Sequence, residues 1–597
     1  MEMLTSQDYC YLGLHNGTWP NGTVGGGSWQ FGHYVPTSME SSMCQQGHHP
    51  WGASIEYGFW TMYLVIAFFS ACAIVNHLNR LESLSRSLAL PSFFAIPSKI
   101  KAFLRAVDTP RFGRYLPPLG SVLVYIGLGI FGLAVSFGIR PYYRPPNFGS
   151  SPLGLRSEWI ATPLIVWIFA TGVKRNALGY LTGLNYSRLM DLHKTFGWMC
   201  FFFAIVHTVA MIVRADRQSP WSYTWASEPL SYGWAAWGAL ISLGWLCVMS
   251  LGPVRRISHE FFYVLHMVGV VLFIVFMYEH CTGALNSWSY LHASVVILGT
   301  ALICRFLVVA VRTHAFTRVH RAEISPVEDG ALKITIPVGS MEWSAGQHVF
   351  IRFLTVYPWQ THPFTILNLP NSPFSASPSE PNSLQFVLRP RTGLTARLAS
   401  LAASNPTRSL PVHIDGPYGH AAIETIGGAD HALLVAGGTG MSFVLPILSA
   451  LLRGDAPSRI RSLECVWVVP REEALGWYRE ALDEVLSLAA ARGLNRIDLK
   501  LELHVSGSTA VKELADVGSK ESVGSGVKLS VVAGRPDAAG LVERQANGRE
   551  GCLAVVSCGP ASLLQDVRNA VARAQVGILS GKVKVEEVTL CEELYEC

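Results

Sequence analysis

Four histidines in apolar surroundings are the first residues whose type and spacing point to chemistry. His193 and His207 stand in LHKTFGWMCFFFAIVHTVAMIV, and His266 and His280 in LHMVGVVLFIVFMYEH. Each pair is fourteen positions apart, just under four helical turns. Two such rings therefore share one helix face, about 21 Å apart along the axis, a rise that nearly crosses a hydrocarbon core of about 30 Å. Polar groups at that depth are costly and usually face the protein interior, where they do work. A single histidine there could be a packed, hydrogen-bonded residue; the repeated spacing favours function. Zinc needs its ligands inside one coordination shell, whereas imidazole is a good axial ligand for haem iron. Two facing helices with histidines at two levels would hold two stacked bis-histidine haems, which pass electrons without binding substrate.

Such histidines need membrane helices to position them. The chain of 597 residues is 50% hydrophobic, with 17 Trp and 28 Phe, too apolar for a wholly soluble protein. Apolar runs predict spans near 57–76, 119–139, 157–173, 193–213, 233–252, 259–280 and 290–311. The first three carry no legible chemistry and read as scaffold. The net charge of +5 is modest and unclustered, which argues against a nucleic-acid partner.

Arg80, Arg86, Lys99, Lys101, Arg105, Arg111 and Arg114 fill the first inter-span loop, and Lys174, Arg175, Arg188, Arg255 and Arg256 fall on the same side. The opposing loops hold only Arg140, Arg144, Arg156, Arg214 and Arg217. The positive-inside rule then predicts a cytosolic C-terminal half and an N-terminus outside. His193 and His266 would hold the inner haem, and His207 and His280 the outer one. The N-terminus lacks the charged and apolar regions of a cleavable signal, so the first span is expected to act as the topogenic signal. Sequons at Asn16 and Asn21 suit an outside segment; a third, at Asn185, falls on the inside. Cys10 and Cys44 could form a disulfide there. His33, His48 and His49 could bind metal, although ordinary surface residues are the plainer reading.

After Arg312 the pattern changes to strands and turns. ALKITIPV, QHVFIRFL, SLQFVLRP and LPVHIDG, within 318–425, suit a small antiparallel barrel, and NLPNSPFSASPSEPN reads as a loop. From His431 buried β-runs alternate with helices, the signature of a parallel doubly wound sheet, interrupted by a Gly/Ser-rich linker at about 506–529. In LLVAGGTGMSFVLPIL the strand ends at Gly437-Gly438-Thr439-Gly440 and a helix follows, so a pyrophosphate could approach the amides of the helix N-terminus. Taken alone this is also what a plain tight turn looks like. Cys558-Gly559-Pro560 closes another strand of the same sheet at the same edge.

The paired histidines, His362-Pro363-Phe364-Thr365, Gly416-Pro417-Tyr418-Gly419, GGTG and CGP occur in the order of the ferric reductase and NADPH oxidase superfamily. The chain resembles its fungal ferric-chelate reductases most. That resemblance implies a multi-pass α-helical membrane domain of about seven helices with two b-type haems, then a ferredoxin-reductase-like FAD β-barrel, then an α/β doubly wound NADPH domain. The expected boundaries are an extracellular segment at 1–56, the di-haem domain at 57–312, the FAD domain at 313–425 and the nucleotide domain at 426–597.

By the same resemblance, His362 to Thr365 would line the flavin, with Gly346, Gln347 and His348 on the strand before and Gly416, Pro417, Tyr418 and Gly419 in the following motif. Arg391-Thr392-Gly393-Leu394-Thr395 matches the family's basic-x-Gly-x-Thr, in which Thr395 would cap a helix facing the diphosphate beside Gly393. Gly437, Gly438, Thr439 and Gly440 would take the NADPH pyrophosphate. Cys558, followed by Gly559 and Pro560, would stand near the nicotinamide as the catalytic residue, and Arg471 and Arg535 would bind the 2′-phosphate. The ending Glu592-Glu593-Leu594-Tyr595-Glu596-Cys597 departs from the family, which leaves open which ring covers the flavin.

The implied activity carries electrons from cytosolic NADPH through FAD and two haems to ferric chelates or siderophores, and to Cu(II), beyond a lipid bilayer such as the plasma membrane. An iron or copper permease would be a functional partner in iron uptake. An oxidase passing the same electrons to O2 would carry the same motifs. A transporter or receptor would need neither paired histidines nor nucleotide turns.

Overall fold

The computed structural model describes the chain except residues 1–5, 45–49, 89, 91–95, 113–115, 175, 220–229, 258, 313–318, 340, 371–381, 406–407, 420–421, 456, 492–496, 508–526 and 595–597. His48, His49, most of the Pro/Ser-rich loop, most of the Gly/Ser-rich linker and Tyr595, Glu596 and Cys597 therefore lie outside the described residues. The chain divides into two units, one of residues 1–74 and 123–304 and one of residues 75–122 and 305–597. Residues 75–122, expected within the membrane domain, thus group with the C-terminal half.

The first unit begins with a small head. Helix Ser6–His15, the hairpin of β1 (Ser28–Gln30) and β2 (His33–Val35), and helix Ser38–Cys44 are stapled by the Cys10–Cys44 disulfide, with Cα atoms 5.6 Å apart. The buried Glu40 carboxylate accepts from the Tyr34 hydroxyl at 2.8 Å and from the amides of Gly26 and Thr37, and these bonds hold its pKa down against burial, which alone would raise it.

Among the described residues six helices are long and apolar enough to cross a membrane, and the apolar helix Leu230–Met249 is shorter over its described part. Of these, Pro152–Gly172 is the central one: 83% of its apolar window is buried, against 22% or less for the others. Ser151 caps its start by accepting from the Gly154 amide, and Pro152 sits at the first helical turn, where it lacks only an amide hydrogen that has no partner there anyway. Asn185, the third sequon, caps helix Tyr186–Gln218 by accepting from the Arg188 amide at 3.0 Å.

Glycines let these helices approach closely. A Cβ on Gly238 would come within 2.6 Å of the Phe276 ring, and one on Gly269 within 2.9 Å of Leu246. The helices Leu230–Met249 and His259–His280 therefore pack at a distance that only small residues permit.

In the second unit, the alternation of buried and outward residues builds two sheets. The first is a six-stranded antiparallel sheet of β3 (His320–Pro326), β4 (Leu332–Gly339), β5 (His348–Phe353), β6 (His362–Thr365), β7 (Asn382–Leu388) and β8 (Arg408–Tyr418), in the order β6-β5-β8-β3-β4-β7. Its end strands are brought together by Phe364 against Phe386, ring centres 6.0 Å apart, and by the Leu367 amide donating to the Gln385 carbonyl at 2.9 Å.

The second sheet is parallel and contains β9 (His431–Gly437), β10 (Ser462–Val469), β11 (Asp498–Val505), β12 (Val527–Ala533), β13 (Gly551–Gly559) and β14 (Val585–Leu594). Its order is β12-β11-β10-β9-β13-β14, so the chain reverses its direction of winding between β9 and β13. Helices cover both faces, as continuous buried β-runs such as LLVAG require.

Residues 75–122 dock on this sheet. Helix Ser98–Asp108 buries Ala102 in the nucleotide domain's core. Glu587 of β14 accepts from Lys101 at 3.0 Å, Arg105 at 2.9 Å and Arg86 at 2.9 Å.

Candidate functional site

The four histidines come together in two pairs. The rings of His193 and His266 have centres 6.4 Å apart, and those of His207 and His280 are 6.3 Å apart. Two metal–nitrogen bonds of about 2 Å, each extended roughly 1 Å to a ring centre, need about 6 Å. Each pair therefore has room for one metal ion held from both sides, as in a bis-histidine haem. Among the described residues no group of three or more His, Cys, Asp or Glu side chains could hold a metal ion, which does not fit the four-ligand zinc alternative.

The rings are oriented by a helix that shows no chemistry in sequence. His193 Nδ1 lies 2.9 Å from the Ile168 carbonyl, and His207 Nδ1 lies 2.9 Å from the Gly154 carbonyl. Both acceptors belong to Pro152–Gly172 and are themselves fourteen positions apart. With Nδ1–H donated to a carbonyl, the Nε2 lone pair of each ring is left for a metal. His266 Nδ1 likewise lies 3.3 Å from the Ser250 hydroxyl. The third span, expected to be scaffold, packs on the histidine helix and also supplies these acceptors, which the sequence does not reveal because backbone acceptors leave no mark in residue types.

In the barrel, His362, Pro363, Phe364 and Thr365 form β6 and pair antiparallel with β5, Thr365 opposite His348. β5 also pairs with β8, placing His348 opposite Tyr418, ring centres 6.2 Å apart. Gln347 donates to the Gly419 carbonyl at 3.1 Å. Gly416 has a positive φ, and a Cβ there would meet Val349 at 2.9 Å; Gly346 also has a positive φ, and its Cβ would lie 3.1 Å from Phe443. Tyr418 donates to Asp415, which also binds Arg305. The three stretches expected to hold FAD are thus neighbours on one side of the sheet.

Thr395 does not cap the next helix. Gly393 is the cap of Leu394–Ser404, while the Thr395 hydroxyl accepts from the Arg391 amide at 3.0 Å and donates to the Thr392 carbonyl at 3.2 Å. Gly393 has a φ of +60°, and a Cβ there would meet nothing within 4 Å. The threonine closes the turn, and the glycine leaves its outer face open.

The glycine turns meet at the reversal point of the parallel sheet, the place where open α/β sheets bind ligands. A Cβ on Gly440 would lie 2.4 Å from the Cys558 carbonyl, and one on Gly437 would lie 2.7 Å from Pro560. A Cβ on Gly559 would lie 3.0 Å from the Gly437 nitrogen. The Gly438 Cβ position is empty to 4 Å. Trp467 donates to the Gly438 carbonyl at 3.0 Å and the Tyr478 hydroxyl to the Thr439 carbonyl at 3.1 Å, props that sequence reading did not identify.

Cys558 is fully buried, opposite Ala436 on one side and Glu593 on the other. Burial pushes its thiol well up, so it is a protonated, uncharged group rather than a thiolate nucleophile. Burial also raises the Glu593 carboxyl to about 7. Arg471 binds Asp329 at 3.1 Å with its side chain 62% exposed, and Arg535 is exposed in the turn after β12.

Paired histidines in apolar helices, followed by a barrel and a doubly wound nucleotide domain, are the layout of a multi-pass membrane protein with FAD- and NAD-binding domains. Residues 158–277 match the family described as "Ferric reductase like transmembrane component", 316–422 match "FAD-binding domain", and 429–572 match "Ferric reductase NAD binding domain". The membrane and nucleotide segments are thus each similar to a part of the ferric reductases. It is 29% identical to a "Probable cell surface ferric reductase kap2" of Aspergillus oryzae, over 64% of this chain and 52% of that protein. The chain therefore spans about half the length of that relative. It is 27% identical to "Ferric/cupric reductase transmembrane component 7" of Saccharomyces cerevisiae, over 74% of this chain and 72% of that one. Among solved structures, a flavohemoglobin from Malassezia yamatoensis matches 73% of this chain and 94% of its own, at 17% identity and a TM-score of 0.34.

Proposed function

We propose that this protein carries electrons from cytosolic NADPH across a membrane to ferric chelates or siderophores, and to Cu(II), on the far side. The observation that carries the proposal is the pair of histidine couples, each spaced for one metal ion and each with a ring nitrogen tied to the same neighbouring helix. The two levels are about 21 Å apart along the helices and would hold two b-type haems. The relatives' names as ferric and ferric/cupric reductases support the choice of acceptor.

When bound, FAD accepts a hydride from NADPH and releases its electrons singly to the haems. The chain's own residues position that exchange. Gly437 to Gly440 and Gly559 bring backbone amides close to the pyrophosphate, and the buried Cys558 excludes water beside the nicotinamide. His362 to Thr365, His348 and Tyr418 would line the flavin, with Gly393 open to its diphosphate. Arg471 and Arg535 would select the 2′-phosphate of NADPH. His193 with His266 and His207 with His280 would each hold one haem iron between them, and the pair of haems would supply one-electron transfer across the bundle. The N-terminal head faces outside, the C-terminal domains are cytosolic, the plasma membrane is the site of action, and an iron or copper permease takes up the product.

The test is vectorial. Proteoliposomes loaded with NADPH and FAD should reduce an external, membrane-impermeant Fe(III) chelate to Fe(II) in those molecules oriented with the nucleotide domain inside. Reduction that occurs only when NADPH and chelate share one side contradicts transmembrane transfer.

A further inference from the structure

Opposite the basic loops the sequence places few cations: Arg140, Arg144, Arg156, Arg214 and Arg217. The structure gathers three of these five. Arg144, Arg214 and Arg217 line one cleft together with Tyr143 and Ser151, and no Asp or Glu is among the described residues that line it. Arg217 is exposed, and its guanidinium lies over the Tyr143 ring, 4.2 Å from the ring centre. Stacking of this kind fixes the plane of the fork and leaves its N–H edges to face a further partner. The other two arginines are engaged elsewhere. Arg156 donates to the carbonyls of Ile139 and Pro141 at 2.7 and 3.2 Å, and Arg140 lies over the Tyr142 ring.

Tyr143 and Arg144 belong to the loop between helices Leu119–Phe137 and Pro152–Gly172, and that loop is held at several points. The Ser151 hydroxyl donates to the Tyr142 carbonyl at 2.9 Å. Phe148 is fully buried in the core of the N-terminal head with Leu14, Tyr34 and Cys44, and Asn147 donates to the Tyr34 carbonyl at 3.3 Å. The disulfide-stapled head therefore anchors one wall of the cleft. Arg214 and Arg217 supply the other from the end of helix Tyr186–Gln218. Arg214 is seven positions after His207, so it lies two turns on, on nearly the same face and about 10 Å further along the axis. The cleft stands at the end of this helix beyond His207, away from His193.

We propose that this cleft is where the metal complex docks, and that it selects complexes whose ligands carry carboxylates and leave a net negative charge, such as Fe(III) held by an aminopolycarboxylate or a hydroxycarboxylate. This rests on the reading that the group held by His207 and His280 delivers the electrons. A carboxylate offers two oxygens to an arginine fork, and such bidentate, charge-assisted contacts are short and directional. Three arginines in a cleft that no described acid lines also draw an anion in from solution, more strongly at low ionic strength. A cationic complex gains neither effect. The propionate groups of a porphyrin at the His207 level would present the same carboxylate chemistry from inside the bundle, and the experiment separates the two sources.

The test uses the purified full-length protein in detergent and two readouts. Calorimetry measures binding of the Ga(III) complex of EDTA, an anion that matches the Fe(III) complex in charge but is not reduced. Steady-state kinetics gives KM for the Fe(III) complex of EDTA and for hexaammineruthenium(III), a cationic acceptor. Arg217→Gln should weaken binding of the Ga(III) complex and raise KM for the Fe(III) complex, each by roughly tenfold, while KM for the cation falls. Arg144→Gln should act in the same direction, and Arg217→Lys, which keeps the charge without the fork, should fall between wild type and Arg217→Gln. Arg217 is exposed, so its replacement leaves the fold intact. Binding of the Ga(III) complex unchanged in these variants overturns the proposal. Haem lost from the variants while that binding is kept assigns the arginines to the propionates and overturns it too. A wild type that binds the Ga(III) complex through these arginines yet reduces neither acceptor keeps the cleft and overturns the electron-delivery reading instead.

Discussion

Glu587 accepts a hydrogen bond from Lys101, 486 positions earlier in the chain, at 3.0 Å, with both side chains less than 10% exposed. Arg105 and Arg86 reach the same carboxylate, and Lys101 also contacts Glu82 at 2.6 Å. Burial alone would raise the Glu587 carboxyl, but Arg105, Lys101 and Arg86 outweigh it and hold the pKa at about 2. Removing one member of a buried charge cluster leaves the others uncompensated, at a cost on the order of 3 kcal/mol. Glu587→Gln should therefore lower the thermal unfolding midpoint of the full chain and expose helix Ser98–Asp108 to protease. An unchanged midpoint would show that the cluster contributes no net stability.

The depressed value also fixes a pH dependence. The ordinary carboxyl value is 4.5 and the folded value about 2, so Glu587 binds fewer protons when folded. Its contribution is complete above about pH 5 and is lost as pH falls toward 2. The Tm of the wild type should fall through this window more steeply than that of Glu587→Gln; parallel curves would contradict the assignment.

Gly172→Ala tests the packing of the histidine rings. The added methyl would lie 2.9 Å from His193 Nδ1, closer than side-chain carbons tolerate. It should displace that ring and reduce bound haem from two to about one per chain, the His207 level being retained. Pyridine haemochrome measurement gives the count, and full occupancy would mean the ring moves aside without loss.

Gly440→Ala puts a carbon 2.4 Å from the Cys558 carbonyl. Because the obstacle is backbone, the two turns must separate. KM for NADPH should rise by roughly tenfold or more, with stability falling by about 1–3 kcal/mol. A purified variant with normal KM would show that this turn does not bind the nucleotide.

Arg535→Ala should raise KM for NADPH by roughly tenfold, the loss of one charge-assisted contact, and leave that for NADH unchanged. Equal effects on both would place the arginine away from the 2′-phosphate.

Much of this was legible in the sequence because it depends on local pattern. The fourteen-residue histidine spacing, the GGTG and CGP turns and the Cys10–Cys44 pair each follow from residue type and position. Of the strands, β4, β5, β7 and β8 stand out as apolar alternations, whereas HPFT is too short and too proline-broken to be read as β6. What escaped depends on partners remote in sequence. The Ile168 and Gly154 carbonyls are invisible as residue types, and Thr395 looks like a cap until the Arg391 amide claims its hydroxyl. The basic loop containing Lys101 and Arg105 carries a topological signal, but its second role, binding Glu587, needs the fold.

The most direct measurement of the central claim follows the haem Soret and α bands of the purified protein under strict anaerobiosis. NADPH and FAD should reduce the haems, and a ferric chelate added afterwards should reoxidise them promptly, with Fe(II) formed in proportion. Haems that reduce but stay reduced until O2 is admitted would contradict the ferric acceptor, and a chain without a haem spectrum would contradict the paired-histidine wire itself.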